Sequence, residues 1–210
     1  MQELVPGIHH WSAPHPRIGF RVSSYYLEAA RTLLDPILPE DEDLDWFARR
    51  DPAPRQIVLT NRHHYRHSDE FREVLGGIPV RACRAGMHEF EGGPEVGPFD
   101  FGDRLAEGVT AIEIGGICPD DTALFIEAAE GAGANAIALA DGLIRPPDGG
   151  PLCFVPDQLM GDPERDKRAL LASLSGLLER DFEHLLLAHG EPLAREGKRA
   201  LGEFLESQAA

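Results

Sequence analysis

Apolar residues in this chain run in short blocks rich in leucine, isoleucine, valine and alanine, and most blocks end on a polar residue. Blocks of that length bounded by turn formers predict buried strands rather than helices. Residues 4–8 and 20–27 predict a first strand pair, with the proline- and histidine-bearing stretch 9–16 as the loop between them. Residues 32–36 predict a third strand ending on a carboxylate, and 56–60 a buried central strand. Further strands are expected at 78–83, 109–114, 122–127, 135–140 and 184–188, with a hairpin over 99–105 and a small-residue turn at 131–133.

Helical spacing takes over elsewhere. The acidic run at 40–43 favours a helix N-terminus ahead of Leu44, Trp46 and Phe47. Ser68 or Asp69 predicts a cap for a helix running to about residue 75. Asp162 followed by Pro163 is a strong helix start, and Leu170, Leu171, Leu174, Leu177 and Leu178 then repeat at helical spacing. A closing helix is expected over 193–207. Strands followed by helix in each half predict a single α/β domain over 1–210, two packed sheets with helices outside.

Composition narrows the class. Twenty Lys+Arg against 36 Asp+Glu give a net charge of −16, which disfavours nucleic acid and anionic membranes as partners. No apolar stretch approaches the ~20 residues of a membrane span. The N-terminus lacks the basic and apolar regions of a secretory signal. Cys83, Cys118 and Cys153 are widely spaced with no CxxC pair, so free thiols in a reducing, cytoplasmic setting are expected.

Three polar residues each follow a buried apolar block: His63, Asp141 and His189. A sheet brings such strand-end residues to one edge, where open α/β sheets keep their chemistry. A His/Asp/His set suits zinc or another divalent ion with a position left for water. The same spacing fits histidines that merely hydrogen-bond at strand ends, so both readings stay open.

The order of motifs resembles the metallo-β-lactamase superfamily over nearly the whole chain. Ser24-Tyr25 and Leu33-Leu34-Asp35-Pro36 look like its opening segment, and Leu59-Thr60 stands where its Thr-His-x-His-x-Asp-His motif begins. Phe101-Gly102-Asp103-Arg104-Leu105 with Gly108 resembles its Gly-Asp strand pair. Gly115-Gly116-Ile117-Cys118-Pro119 sits in the place of Pro-Gly-His-Thr-Pro. Ala140-Asp141-Gly142-Leu143 matches the strand end with the bridging aspartate, and Ala188-His189-Gly190 the late Gly-His-Gly segment. The resemblance implies a four-layer αββα sandwich and an ancestral metal-dependent hydrolysis of an ester, thioester, amide or phosphoester.

Aligned from Thr60, the resemblance also implies losses. Asn61 takes the first histidine's place, Tyr65 the aspartate's and Arg66 the next histidine's, while Ile117 replaces the histidine after Gly116. His63, Asp141 and His189 remain as ligands and catalytic groups, with Asn61, Tyr65 and Arg66 expected to line the pocket. An arginine cannot ligate a metal, so an Arg66–Asp141 hydrogen bond is expected, a guanidinium standing in for an ion. A slipped register instead brings in His67 as a ligand, with His64 or the histidines of 9–15 adding another. The cofactor expectation is no metal, or one divalent ion with zinc foremost. The alternative to an enzyme is a protein that binds a small anion through Arg62, Arg66 and the histidines, or a partner; neither reading excludes a homo-oligomer.

Overall fold

The computed structural model describes residues 1–41, 43–129, 133–146 and 149–209. Glu42 of the acidic run, and residues 131 and 132 of the expected turn, lie outside them. Among the described residues, twelve strands form two sheets. The first sheet holds β1 (Gln2–Val5), β2 (Ile8–Pro14), β3 (Arg21–Leu27), β4 (Thr32–Leu34), β5 (Gln56–Val58), β6 (Val80–Cys83) and β7 (Gly97–Phe99) in sequence order. The second is ordered β12 (His184–Leu187), β11 (Ala136–Leu139), β10 (Thr122–Ile126), β9 (Val109–Glu113), β8 (Arg104–Ala106).

Two sequence expectations change here. Residues 9–14, expected as loop, belong with Ile8 to a full strand paired with β3 from Ile8↔Leu27 to Pro14↔Arg21. His9 and His10 disguise it, because both histidines are buried and take the places of core residues. The hairpin expected over 99–105 is not one, since β7 belongs to one sheet and β8 to the other. The segment crosses between layers, and the hairpin lies one element later, at β8–β9.

Alternation along the strands sorts the core into layers. Tyr25, Leu27, Leu34 and Val58 of the first sheet meet Leu124, Ala138 and Leu186 of the second in the middle layer. The outer face of the first sheet buries Leu33, Ile57 and Val80 against Phe47 of α1 (Asp45–Ala48) and Phe71 of α2 (Ser68–Val74). The outer face of the second buries Ile137, Leu185 and Leu187 against Leu170 and Leu174 of α3 (Pro163–Leu177) and Leu201 and Phe204 of α4 (Gly197–Gln208). This is the αββα arrangement. Among the described residues no helix is long and apolar enough to cross a membrane.

Topology then decides where chemistry can gather. β4 and β5 are parallel neighbours in the first sheet, and β11 and β12 are parallel neighbours in the second. Both pairs end at one edge of the sandwich, which gathers Asp35, Thr60 with the turn after it, Asp141 and His189. β3 and β10 run antiparallel to these neighbours, so their starts, with Ser23, Ser24 and Asp121, reach the same edge.

Candidate metal centre

Asp35 follows β4 and is buried, 3% exposed. It accepts the Thr60 backbone N–H at 2.8 Å and the Thr60 hydroxyl at 2.5 Å, which fixes its carboxylate below the turn that follows β5. That turn is a 3₁₀ segment, Arg62–His64, whose N-cap Asn61 accepts the His63 backbone N–H at 2.9 Å. The tight turn aims His64 inward, with Nδ1 3.0 Å from Asp35 Oδ2 and Nε2 3.2 Å from Asp141 Oδ1. His63, one residue earlier, is exposed. The inward-facing histidine is therefore His64 rather than His63, because a 3₁₀ turn separates consecutive side chains by about a third of a revolution.

Asp141 Oδ1 also lies 2.9 Å from His189 Nε2. His64, Asp141 and His189 thus present three donor atoms within 4.8 Å of one another. The His64 side chain is 6% exposed, those of Asp141 and His189 22% and 23%, so the set is backed by protein and open on one side. Around an ion with bonds of about 2.0–2.1 Å, ligand atoms stand about 2.9–3.4 Å apart; the two N···O separations fall in that interval. Asp35 on His64 Nδ1 supplies the carboxylate–histidine arrangement that leaves Nε2 as the donor. The residues present fit one divalent ion.

Charges in this cluster are strongly coupled. Burial opposes a charge on His64, but Asp35 and then Asp141 outweigh it and push its pKa up to about 9. Burial likewise opposes ionised Asp141, yet His64 and His189 hold it well below the usual carboxylate range. Asp121 goes the other way. Burial, then the neighbouring Asp141, raise its pKa to about 8, although its Oδ1 accepts the Asp141 backbone N–H at 3.3 Å. A protonated carboxyl therefore stands behind an ionised one at neutral pH.

No protein-family model matches the chain, and no curated protein matches it in sequence. Solved structures do. A subclass B3 metallo-β-lactamase of Bradyrhizobium japonicum, BJP-1, superposes with TM-score 0.68 at 15% identity, covering 99% of this chain and 90% of that one. The protein TTHA1623, solved in a di-iron-bound form, gives 0.65 at 23% identity over 90% of this chain and 96% of that one. A metallo-β-lactamase of Cronobacter sakazakii with a HARLDQ motif gives 0.65 at 17%, covering 99% and 90%. The chain has the metallo-β-lactamase fold.

Within that fold the remaining expected pocket residues make their hydrogen bonds outside the donor set. Asn61 spends its carboxamide oxygen on the 3₁₀ cap. The Tyr65 hydroxyl donates to Asp69 Oδ1 at 2.6 Å. His67 Nδ1 accepts the Leu38 backbone N–H at 3.3 Å, and among the described residues the histidine of this turn that joins the donor set is His64, which the slipped register also offered. Ile117 packs on the core behind the second sheet.

The Arg66–Asp141 hydrogen bond is likewise not formed among the described residues. Arg66 Nη1 donates instead to the carbonyls of Ser23 and Asp35, each at 2.7 Å. Those acceptors are backbone groups at the first sheet's edge, and they draw the guanidinium toward β3 and β4. Arg66 and Asp35 both adopt the left-handed backbone region, φ 47° and 46°, uncommon outside glycine and worth noticing where it clusters at a site.

The donor role of His64 and the part of Asp35 as its carboxylate partner are what strand-end reasoning did not assign. The sequence carried a signal for each, a second histidine beside His63 and a carboxylate ending the third strand.

Proposed function

We propose that this protein is a divalent-metal-dependent hydrolase in which His64, Asp141 and His189 hold one ion and most other ligand positions of its fold relatives are substituted. The observation that carries this reading is the convergence of two imidazole Nε2 atoms on one carboxylate oxygen at an open edge, at ligand spacing, with Asp35 braced behind His64. Zinc suits two histidines and a carboxylate, and so does ferrous iron. An ion bound there supplies Lewis acidity toward a carbonyl or phosphoryl oxygen and acidifies water near neutral pH.

The chain's own residues have separable tasks in this scheme. His64 and His189 orient as neutral donors, Asp35 fixes the His64 tautomer, and Asp141 contributes the negative charge. Asp121, protonated behind Asp141, holds the Asp141 backbone in place through its N–H. The substrate is a small molecule bearing an ester, thioester, amide or phosphoester. A binder of small anions has less support, because the Arg66 guanidinium is buried, with Nη1 held by two carbonyls, and Arg62 is paired with Asp120.

Elemental analysis of protein stripped with chelator and reloaded with zinc, iron or manganese tests the reading, followed by a hydrolysis panel. One ion per chain is expected, lost in Asp141→Asn and His189→Ala and retained in His63→Ala. A wild-type protein that takes up no ion, or a His63→Ala variant that loses it, contradicts the assignment. Asp35→Asn leaves all three ligands and should weaken binding by about 10–100-fold, the usual effect of removing a partner behind a ligating histidine.

A further inference from the structure

The residues around the three donors raise a second question, how many ions the site accepts. Resting on the reading above, we infer that the site is built for a single ion and that Arg66 is the positioning residue that keeps a second one out. A second ion sharing Asp141 requires further neutral or anionic donors beside it. The candidates on the Arg66 side are engaged elsewhere: Asp35 with Thr60 and His64, Asn61 Oδ1 with the 3₁₀ cap, the Tyr65 hydroxyl with Asp69, and His67 Nδ1 with the Leu38 backbone. Asp121 keeps a buried Oδ2 without a hydrogen-bond partner, but it stands behind Asp141, with Oδ1 on the Asp141 backbone N–H.

In place of a further donor the cluster contains a fixed cation. The Arg66 guanidinium is enclosed, anchored through Nη1 to the Ser23 and Asp35 carbonyls and 3.4 Å from Ser24 Oγ. Its Nε and Nη2 are buried without a hydrogen-bond partner. Burial works against its charge, and the carboxylates of Asp35 and then Asp141 offset part of that cost. Asp35, Asp141 and one guanidinium sum to a single negative charge, or to two with Asp121 ionised, and one divalent ion balances the cluster to within one charge. A second divalent ion would leave at least two uncompensated positive charges in a largely buried cluster, a severe desolvation cost. The left-handed backbone at Arg66 fits a residue held for its placement.

Zinc stoichiometry decides the matter, measured by elemental analysis after equilibration with excess zinc and by calorimetric titration. Wild type and Arg66→Lys, which keeps the charge, should each bind one ion. Arg66→His, which removes the fixed charge and adds a donor, should bind two. A wild-type count of two overturns this inference while sparing the hydrolase reading, as does a folded Arg66→His protein that stays at one. A wild-type count of zero removes both. If Arg66→His does not fold, Arg66→Gln reports on the charge alone: affinity for the first zinc ion should rise tenfold or more, and an unchanged or weaker affinity overturns the role given to Arg66.

Discussion

At the scale of single residues, His10 shows what burying a titratable group costs. Its side chain is 3% exposed, stacked 5.1 Å from the Tyr25 ring, with Nε2 3.0 Å from Ser23 Oγ. Burial, and then the positive N-terminus, lower its pKa to about 4. Charged groups also line the adjoining cleft, Arg21, Glu40, Asp41 and Glu191, and they do not reverse the shift. The folded pKa lies below the unfolded value of about 6.5, so the unfolded chain binds the extra proton first. Stability contributed by neutral His10 is complete above about pH 6.5, falls as pH drops through the window from 6.5 to about 4, and is lost below it. The span amounts to about 3 kcal/mol. His10→Gln keeps a donor for Ser23 and cannot titrate there. Urea unfolding at pH 7 and pH 4.5 should show a smaller acid loss in the variant, and equal losses in both proteins would rule the mechanism out.

At the scale of elements, α3 links helix chemistry to the site. Asp162 caps it by accepting the Arg165 backbone N–H at 3.1 Å, while Asp166 Oδ2 accepts the Asp162 N–H at 3.0 Å. Asp162→Ala should lower stability by about 1 kcal/mol in denaturant titration and leave ion binding unchanged; no loss at all would mean that Asp166 and Pro163 suffice to start the helix. Leu170 of the same helix presses on the loops beside the site. A Cβ on Gly116, whose φ is +91°, would stand 2.8 Å from Leu170 Cγ, so the glycine is needed both for its backbone and for the close approach.

This helix was legible in the sequence because cap, proline and leucine stripe agree. β2 was not, since buried histidines do not register as apolar positions. Asp141 and His189 were legible as residues after apolar strands. The choice between His63 and His64 was not, because it depends on a 3₁₀ turn set by Asn61 and on a partner, Asp35, that folding brings from another strand. The Arg66 contact failed for a related reason. Nothing in the letters says that two strand-edge carbonyls will claim its guanidinium before Asp141 does.

At the scale of the whole molecule, the site depends on how the two sheets are locked together at one edge. Several bonds do this beside the donors. The Ser23 backbone N–H donates to the Ala188 carbonyl at 2.9 Å, Ser23 Oγ to the Gly190 carbonyl at 3.0 Å, and the Thr122 N–H to the Thr60 carbonyl at 3.0 Å. Tyr25 contributes two more, donating its hydroxyl to the Leu187 carbonyl at 2.7 Å and accepting the Leu187 N–H at 3.0 Å. His189 therefore sits two residues beyond a backbone position clamped by the opposite sheet. Tyr25→Phe keeps the ring and its packing but leaves both Leu187 backbone groups buried without these bonds. Unmade buried bonds of this kind cost about 1–3 kcal/mol each, so a stability loss of about 2–6 kcal/mol is expected. Loss of the clamp should also loosen His189 relative to Asp141 and weaken ion affinity, which Asp162→Ala, a change of smaller size on the outer layer, should not. Comparing zinc titrations of the two variants separates a lock that positions the ligands from one that only stabilises the fold. Equal affinities in Tyr25→Phe and wild type would show that the donors keep their geometry without the inter-sheet bonds.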